Sequence, residues 1–184
     1  DLSGIPLLSK DRTEEDPIVI GGGPCTYNPE PVCDFFDLCY IGEGETRYRE
    51  LIDLYEDCRG RGLSRQDFLK KAACIPGIYV PSLYEVSYHE DGTIKEMKPL
   101  EEGIPERILK EMATEVSDTY YPDKPVVPFI KVPQERVVLE IMRACIRGCR
   151  FCQAGQLYSP VLERDVEFLK TYAIAMRHNT GHKQ

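Results

Sequence analysis

Apolar and polar positions along the 184-residue chain follow three patterns, an unbroken apolar run, helical spacing and alternation by two, and each predicts its own kind of element. Pro17 to Gly21 is a short apolar run between a proline and glycines, which fits a buried strand. Gly21-Gly22-Gly23-Pro24 turns the chain into a short helical segment near Pro29 to Phe36, and Leu38 to Ile41 reads as a second strand. From Thr46 the apolar positions Tyr48, Leu51, Ile52, Tyr55 and Cys58 recur at helical spacing until Gly60 and Gly62 stop the run. Ser64, with Asp67 three residues on, caps a second helix that carries Phe68, Leu69 and Ala72 and ends at Pro76-Gly77. Period-two alternation follows at Tyr84, Val86 and Tyr88, and Asp91-Gly92 makes a hairpin turn before Thr93 to Met97.

The second half is patterned differently. A helix is expected from Pro105, after which Pro122, Pro125, Pro128 and Pro133 stiffen an extended link. Val137 to Met142 is a β-rich run, and Asp165 caps a helix with apolar Val166, Leu169, Ala173 and Met176 that stops at Asn179-Thr180-Gly181. Strand, glycine turn and helix repeated is the grammar of an α/β protein, whose ligands lie beyond the carboxyl ends of the strands. The expected division is 1–63, a glycine-turn α/β part; 64–133, helix, hairpin and proline-rich linker; and 134–184, one strand, one long loop and one helix.

Composition narrows the function classes. Hydrophobic content of 42% and charged content of 29% are ordinary for a globular chain. A formal charge of -8 and a pI near 5.0 argue against nucleic-acid binding through bulk electrostatics. No apolar run approaches the ~20 residues that cross a bilayer, and no signal peptide opens the chain, so a cytoplasmic location without membrane partners is expected. The charge is uneven: residues 134–184 carry eight basic and five acidic side chains, so the far end is basic.

That basic end holds the chemistry. Cys145, Cys149 and Cys152 have the spacing Cys-x-x-x-Cys-x-x-Cys in a loop that also contains Gly148 and Gly155. Three thiols within eight residues converge on one centre when the backbone curls, which Gly148 permits. They read as a metal site: an iron-sulfur cluster with one open iron, or a zinc site closed by His178 or His182. Arg143, Arg147 and Arg150 interleave with the cysteines and offset thiolate charge, or are solvated loop charges. Glu140, alone among apolar residues, faces an interior or pairs with a neighbouring arginine. The other cysteines, Cys25, Cys33, Cys39, Cys58 and Cys74, are expected to be buried structural thiols. Glu43 and Glu45 are spaced like paired acid-base carboxylates, although a helix start also favours acidic residues.

With Phe151 before the third cysteine and Leu139-Glu140-Ile141 ahead of the loop, this stretch resembles radical S-adenosylmethionine enzymes, in particular the cobalamin-binding-domain-containing ones. The resemblance implies a 4Fe-4S cluster on Cys145, Cys149 and Cys152, and S-adenosylmethionine bound at the open iron near Phe151 and Gly155. It implies reductive cleavage to a 5'-deoxyadenosyl radical, and a small electron donor protein of flavodoxin or ferredoxin type as partner. It further implies that residues 1–63 are the C-terminal part of a Rossmann-like cobalamin-binding domain, with cobalamin a candidate cofactor near Gly21, Gly22, Gly23, Gly42, Glu43 and Gly44. Residues 134–184 would begin a TIM-type barrel with its first βα unit, and the chain would be an internal piece of a longer enzyme. Two departures stand out: there is no Asp-x-His-x-x-Gly element for cobalt, and Ala144 replaces a usual glycine. The alternatives are a zinc-stabilised binding module on the same cysteines and an inert fragment.

Overall fold

A computed structural model describes residues 2–116, 121–133 and 136–182, and it separates into two compact units, residues 1–112 and 113–184. In the N-terminal unit, β1 (Ile20–Gly21) pairs in parallel with β2 (Leu38–Tyr40), as expected of consecutive strands joined by a crossover. The crossover is a run of 3-10 helix, Glu30–Phe35. β1 is shorter than the apolar run because Val19 donates its N–H to the Asp37 carboxylate at 2.7 Å, while its carbonyl accepts from the Asp37 N–H at 2.9 Å. A side chain thus replaces one rung of the ladder.

Helix α1 (Gly44–Gly60) follows β2 and buries Leu51 and Cys58, two turns apart on one face. Helix α2 (Arg65–Ala72) starts at the expected capping box, in which Ser64 and Asp67 exchange side-chain and main-chain hydrogen bonds, and it buries Phe68, Leu69 and Ala72. β3 (Ile78–Tyr79) then joins the sheet antiparallel to β2, so the sheet is mixed, in the order β1-β2-β3. Leu38, Leu51, Phe68, Leu69, Ile78, Val80 and Leu83 close the core, which draws on both sides of residue 64.

The hairpin forms as β4 (Tyr84–Tyr88) and β5 (Ile94–Pro99), paired from Tyr84 opposite Pro99 to Tyr88 opposite Ile94 with a register shift between Ser87 and Tyr88. Its turn is set by Asp91, which accepts from the Thr93 N–H and hydroxyl at 2.9 and 2.6 Å, and by Gly92 at φ 81°. The helix expected from Pro105 is absent: residues 105–116 are extended or bent, and the main chain of Glu111 pairs with Ile41 and Glu43.

The C-terminal unit holds β6 (Met142–Arg143) antiparallel to β7 (Leu162–Glu163), a one-turn helix α3 (Ala154–Leu157) and a long helix α4 (Val166–Thr180). Asp165 caps α4 by accepting from the N–H groups of Glu167 and Phe168, and Gly181 ends it in the left-handed conformation. The strand expected over Val137 to Met142 is reduced to its last residue and Arg143. Ahead of β6, the Tyr121 hydroxyl donates to the Val138 carbonyl at 2.8 Å and accepts from the Glu140 N–H at 2.9 Å, so a side chain takes the main-chain groups a neighbouring strand would use. The described residues are thus mixed α/β. No helix among them is long and apolar enough to cross a membrane.

Candidate metal-binding loop

Cys145, Cys149 and Cys152 are all free thiols at the surface of the segment between β6 and α3. The segment is held by three contacts of its own main chain: Cys149 N–H to the Arg147 carbonyl at 2.9 Å, Cys152 N–H to the Cys149 carbonyl at 3.1 Å, and Arg147 N–H to the Cys145 sulfur at 3.5 Å. The last contact fixes the Cys145 side chain against the main chain of the segment. Left-handed backbone is used at Ala144, with φ 67°, and not at Gly148. It is the one non-glycine residue with positive φ among those described, which accounts for a glycine being usual there in the family resembled.

Gly155 lies in α3, where a side-chain carbon would make ordinary van der Waals contact with the Cys145 carbonyl oxygen at 3.5 Å, so the close run of α3 beside the loop does not itself require a glycine. Phe151 is 93% exposed on the same segment. Three accessible thiols on one curled segment are the donor chemistry of an iron-sulfur cluster or a thiolate metal site. They are not yet gathered: among the described residues no group of three His, Cys, Asp or Glu is arranged to hold a metal ion. His178 lies in the last turn of α4, where a cation is favoured, and its ring contacts Asn179.

The segment is anchored by a charged cluster in which the sequence pointed to Glu140 and a neighbouring arginine, Arg143, but not to Arg164. Arg143 donates to that carboxylate through Nε at 2.8 Å, and Arg164 donates from the other side through Nε at 3.1 Å. Arg164 is 5% exposed, donates to the Val116 carbonyl, and lies over the rings of Tyr121 and Phe168 at 4.9 and 5.2 Å. Burial works against ionisation of Glu140, but the two arginines outweigh it and hold its carboxyl below the usual range. Both strands of the β6-β7 pair are therefore pinned at the mouth of the cysteine segment. Arg164→Met should destabilise the chain by about 2 kcal/mol in urea unfolding, a value kept modest because Glu140 is 30% exposed and partly screened. An unchanged midpoint would show that the cluster is dispensable.

The glycine turns of the N-terminal unit play separate parts. Gly21 packs against Cys39 and Phe36, whereas Gly22 and Gly23 have open space around them. Gly42, at φ 138°, bridges to Glu111, whose N–H donates to the Ile41 carbonyl and whose carbonyl accepts from Glu43 N–H, each at 3.0 Å. Glu43 is the N-cap of α1, Gly44 is its first residue and Glu45 lies in its first turn. Of the five remaining cysteines, Cys39 and Cys58 are buried as expected and Cys33 is half-buried. Burial and the neighbouring Cys33 push the Cys39 thiol up to about 11. Cys25, in the 3-10 helix Pro24–Tyr27, and Cys74, in the turn after α2, are exposed, contrary to expectation.

The most buried charged site was not visible in the periodicity. Asp37, 1% exposed, lies 3.0 Å from Arg12 Nη1 and 2.6 Å from Arg65 Nη2, and it accepts from the Ser9 hydroxyl at 2.6 Å. Its one signal is a lone acid inside the run Phe35-Phe36-Asp37-Leu38-Cys39.

Residues 1–81 match the family model described as Radical SAM proteins, N-terminal. No curated protein and no solved structure matches the chain.

Proposed function

We propose that this chain, a member of the radical S-adenosylmethionine superfamily, supplies the cluster ligands of a radical S-adenosylmethionine enzyme through Cys145, Cys149 and Cys152. The carrying observation is the set of three free, exposed thiols on one hydrogen-bonded segment, in a chain whose N-terminal part matches the family. A 4Fe-4S cluster held there by three ligands supplies the electron that cleaves S-adenosylmethionine to methionine and a 5'-deoxyadenosyl radical. The protein's own groups do the positioning. Glu140, Arg143 and Arg164 fix the start of the segment. Arg147 and Arg150 are exposed beside the cysteines and complement an acidic one-electron donor of flavodoxin or ferredoxin type.

The finer architecture of this reading joins a Rossmann-like domain to the opening of a TIM-type barrel. The parallel β1-β2 pair followed by α1 supports the first half of it. Cobalamin has no support in the family match, and Gly42 is committed to Glu111.

Anaerobic reconstitution followed by iron, zinc and acid-labile sulfide analysis tests the proposal. About four irons with equal sulfide per chain, lost in Cys149→Ala, are expected. One zinc without sulfide would replace the radical reading with a structural metal module.

A further inference from the structure

Tyr121 lies in the stretch that proline spacing marks as a linker, yet it touches both chain segments that frame the entrance to the cysteine segment. Its hydroxyl bridges two main-chain groups of the incoming chain, donating to the Val138 carbonyl at 2.8 Å and accepting from the Glu140 N–H at 2.9 Å. Its ring lies 4.9 Å from the Arg164 guanidinium, and Arg164 in turn donates through Nε to the Glu140 carboxylate at 3.1 Å. Tyr121, Glu140 and Arg164 therefore close a triangle in which each residue touches the other two.

A closed triangle holds a residue in a way that a single contact does not. Tyr121 holds the main chain of Glu140, Arg164 holds its carboxylate, and the Arg164 N–H takes the carbonyl of the next residue, Ile141, at 3.0 Å. With main chain and side chain both fixed, Glu140 presents its carboxylate to Arg143 Nε at 2.8 Å. Arg143 stands two residues ahead of Cys145, and the residue between them, Ala144, is in the left-handed conformation. The direction in which the chain reaches the first thiol thus follows from how Arg143 is held. The two parts of Tyr121 serve different ends. The ring packs, over Arg164 and edge-on to Tyr172 with centroids 5.6 Å apart. The hydroxyl sets the path of the main chain; without it the Val138 carbonyl, on an exposed residue, turns to water at little cost to overall stability.

We propose that Tyr121 is a positioning residue for the metal-binding segment, its hydroxyl setting, through Glu140 and Arg143, the place from which Cys145 meets a metal ion. This rests on the reading of Cys145, Cys149 and Cys152 as joint ligands. Groups that orient metal ligands from outside typically cost roughly 10–100-fold in metal affinity when removed.

Cadmium, a thiolate-seeking ion, is the probe, titrated into the 184-residue chain with its thiols reduced and read by the ultraviolet charge-transfer band of cadmium-thiolate bonds. The wild type should show a saturable band that Cys149→Ala loses. Tyr121→Phe keeps the ring and should bind cadmium about tenfold more weakly, with faster hydrogen exchange at the Glu140 N–H and little change in melting temperature. Tyr172→Phe, which removes from the same aromatic cluster a hydroxyl that makes no hydrogen bond among the described residues, should change neither readout. Equal cadmium affinity in Tyr121→Phe and wild type, an equal loss in Tyr172→Phe, faster exchange throughout the C-terminal unit in Tyr121→Phe, or no cysteine-dependent band in the wild type would overturn the assignment. Failure of an iron-sulfur cluster to form while the cadmium results hold would count against the radical reading alone and leave Tyr121 in its role.

Discussion

Asp37→Asn is expected to destabilise the chain by about 3–5 kcal/mol in urea or thermal unfolding, enough to unfold much of a marginally stable protein. The reason is asymmetric. In the wild type one buried carboxylate compensates two guanidinium groups, each of which is also held by main-chain carbonyls: Arg12 donates to Pro6, Leu7 and Phe35, and Arg65 to Asp16 and Pro17. The arginines cannot leave when the charge is removed, so two buried cations would face an amide. The same contacts tie residues 6–17 to the entrance of β2 and the first turn of α2. The substitution should therefore also expose the N-terminal stretch to protease.

The effect carries a pH signature. Burial by itself would raise the Asp37 pKa, but the Ser9 hydroxyl, the Val19 N–H and Arg65 together hold it below the ordinary carboxylate value. A folded pKa below the unfolded one means that the contribution is fully present above the unfolded value, near 4, and is lost as pH falls through the folded one. The stability gap between wild type and Asp37→Asn should accordingly be constant from neutral pH down to about 5 and shrink under stronger acid. A gap that widened on acidification would assign the effect to another group.

Gly42→Ala should cost about 3 kcal/mol or more, by a different route. At φ 138° the backbone there is one that side chains resist, and an added carbon would collide with the Glu111 carbonyl and come within 2.7 Å of its nitrogen. Relief requires the strand-like segment at Glu111 to move away, breaking the Glu111–Ile41 and Glu43–Glu111 hydrogen bonds. The Glu111 carboxylate would go with it, releasing Arg47 at 3.2 Å. Hydrogen exchange at Glu43 and Glu111 measures this directly. Preserved protection in Gly42→Ala would mean that the bridge tolerates a side chain, and Gly44→Ala, which meets open space, is the matched control.

What the sequence determined by itself are the parts governed by neighbours a few residues apart. The period of Tyr48, Leu51, Tyr55 and Cys58, the Ser64–Asp67 box, the Asp165 cap, the Gly181 stop and the Asp91-Gly92 turn each fix helices or a hairpin through contacts within about one turn, and all of them appear at or within a few residues of the expected places. The metal-ligand chemistry was legible for the same reason, because three cysteines in eight residues need no distant partner to be conspicuous. The N-terminal family match agrees with the superfamily those cysteines suggested.

Tertiary structure alone decided the rest, because a strand and a buried charge are defined by what lies opposite them. The apolar run from Val137 gives only a two-residue strand, since the Tyr121 hydroxyl occupies main-chain groups ahead of it. Nothing near Pro105 in sequence indicated that this stretch would run extended to meet Ile41 across the fold, and a helix there would have withheld the very N–H and carbonyl that Glu111 supplies. Asp37 shows the limit most sharply. A lone acid among apolar residues reads as an interruption until Arg12, 25 positions earlier, and Arg65, 28 positions later, are folded against it. At that point the same residue becomes the anchor of the N-terminal unit, because burying one charge is tolerable only where others have been brought to meet it.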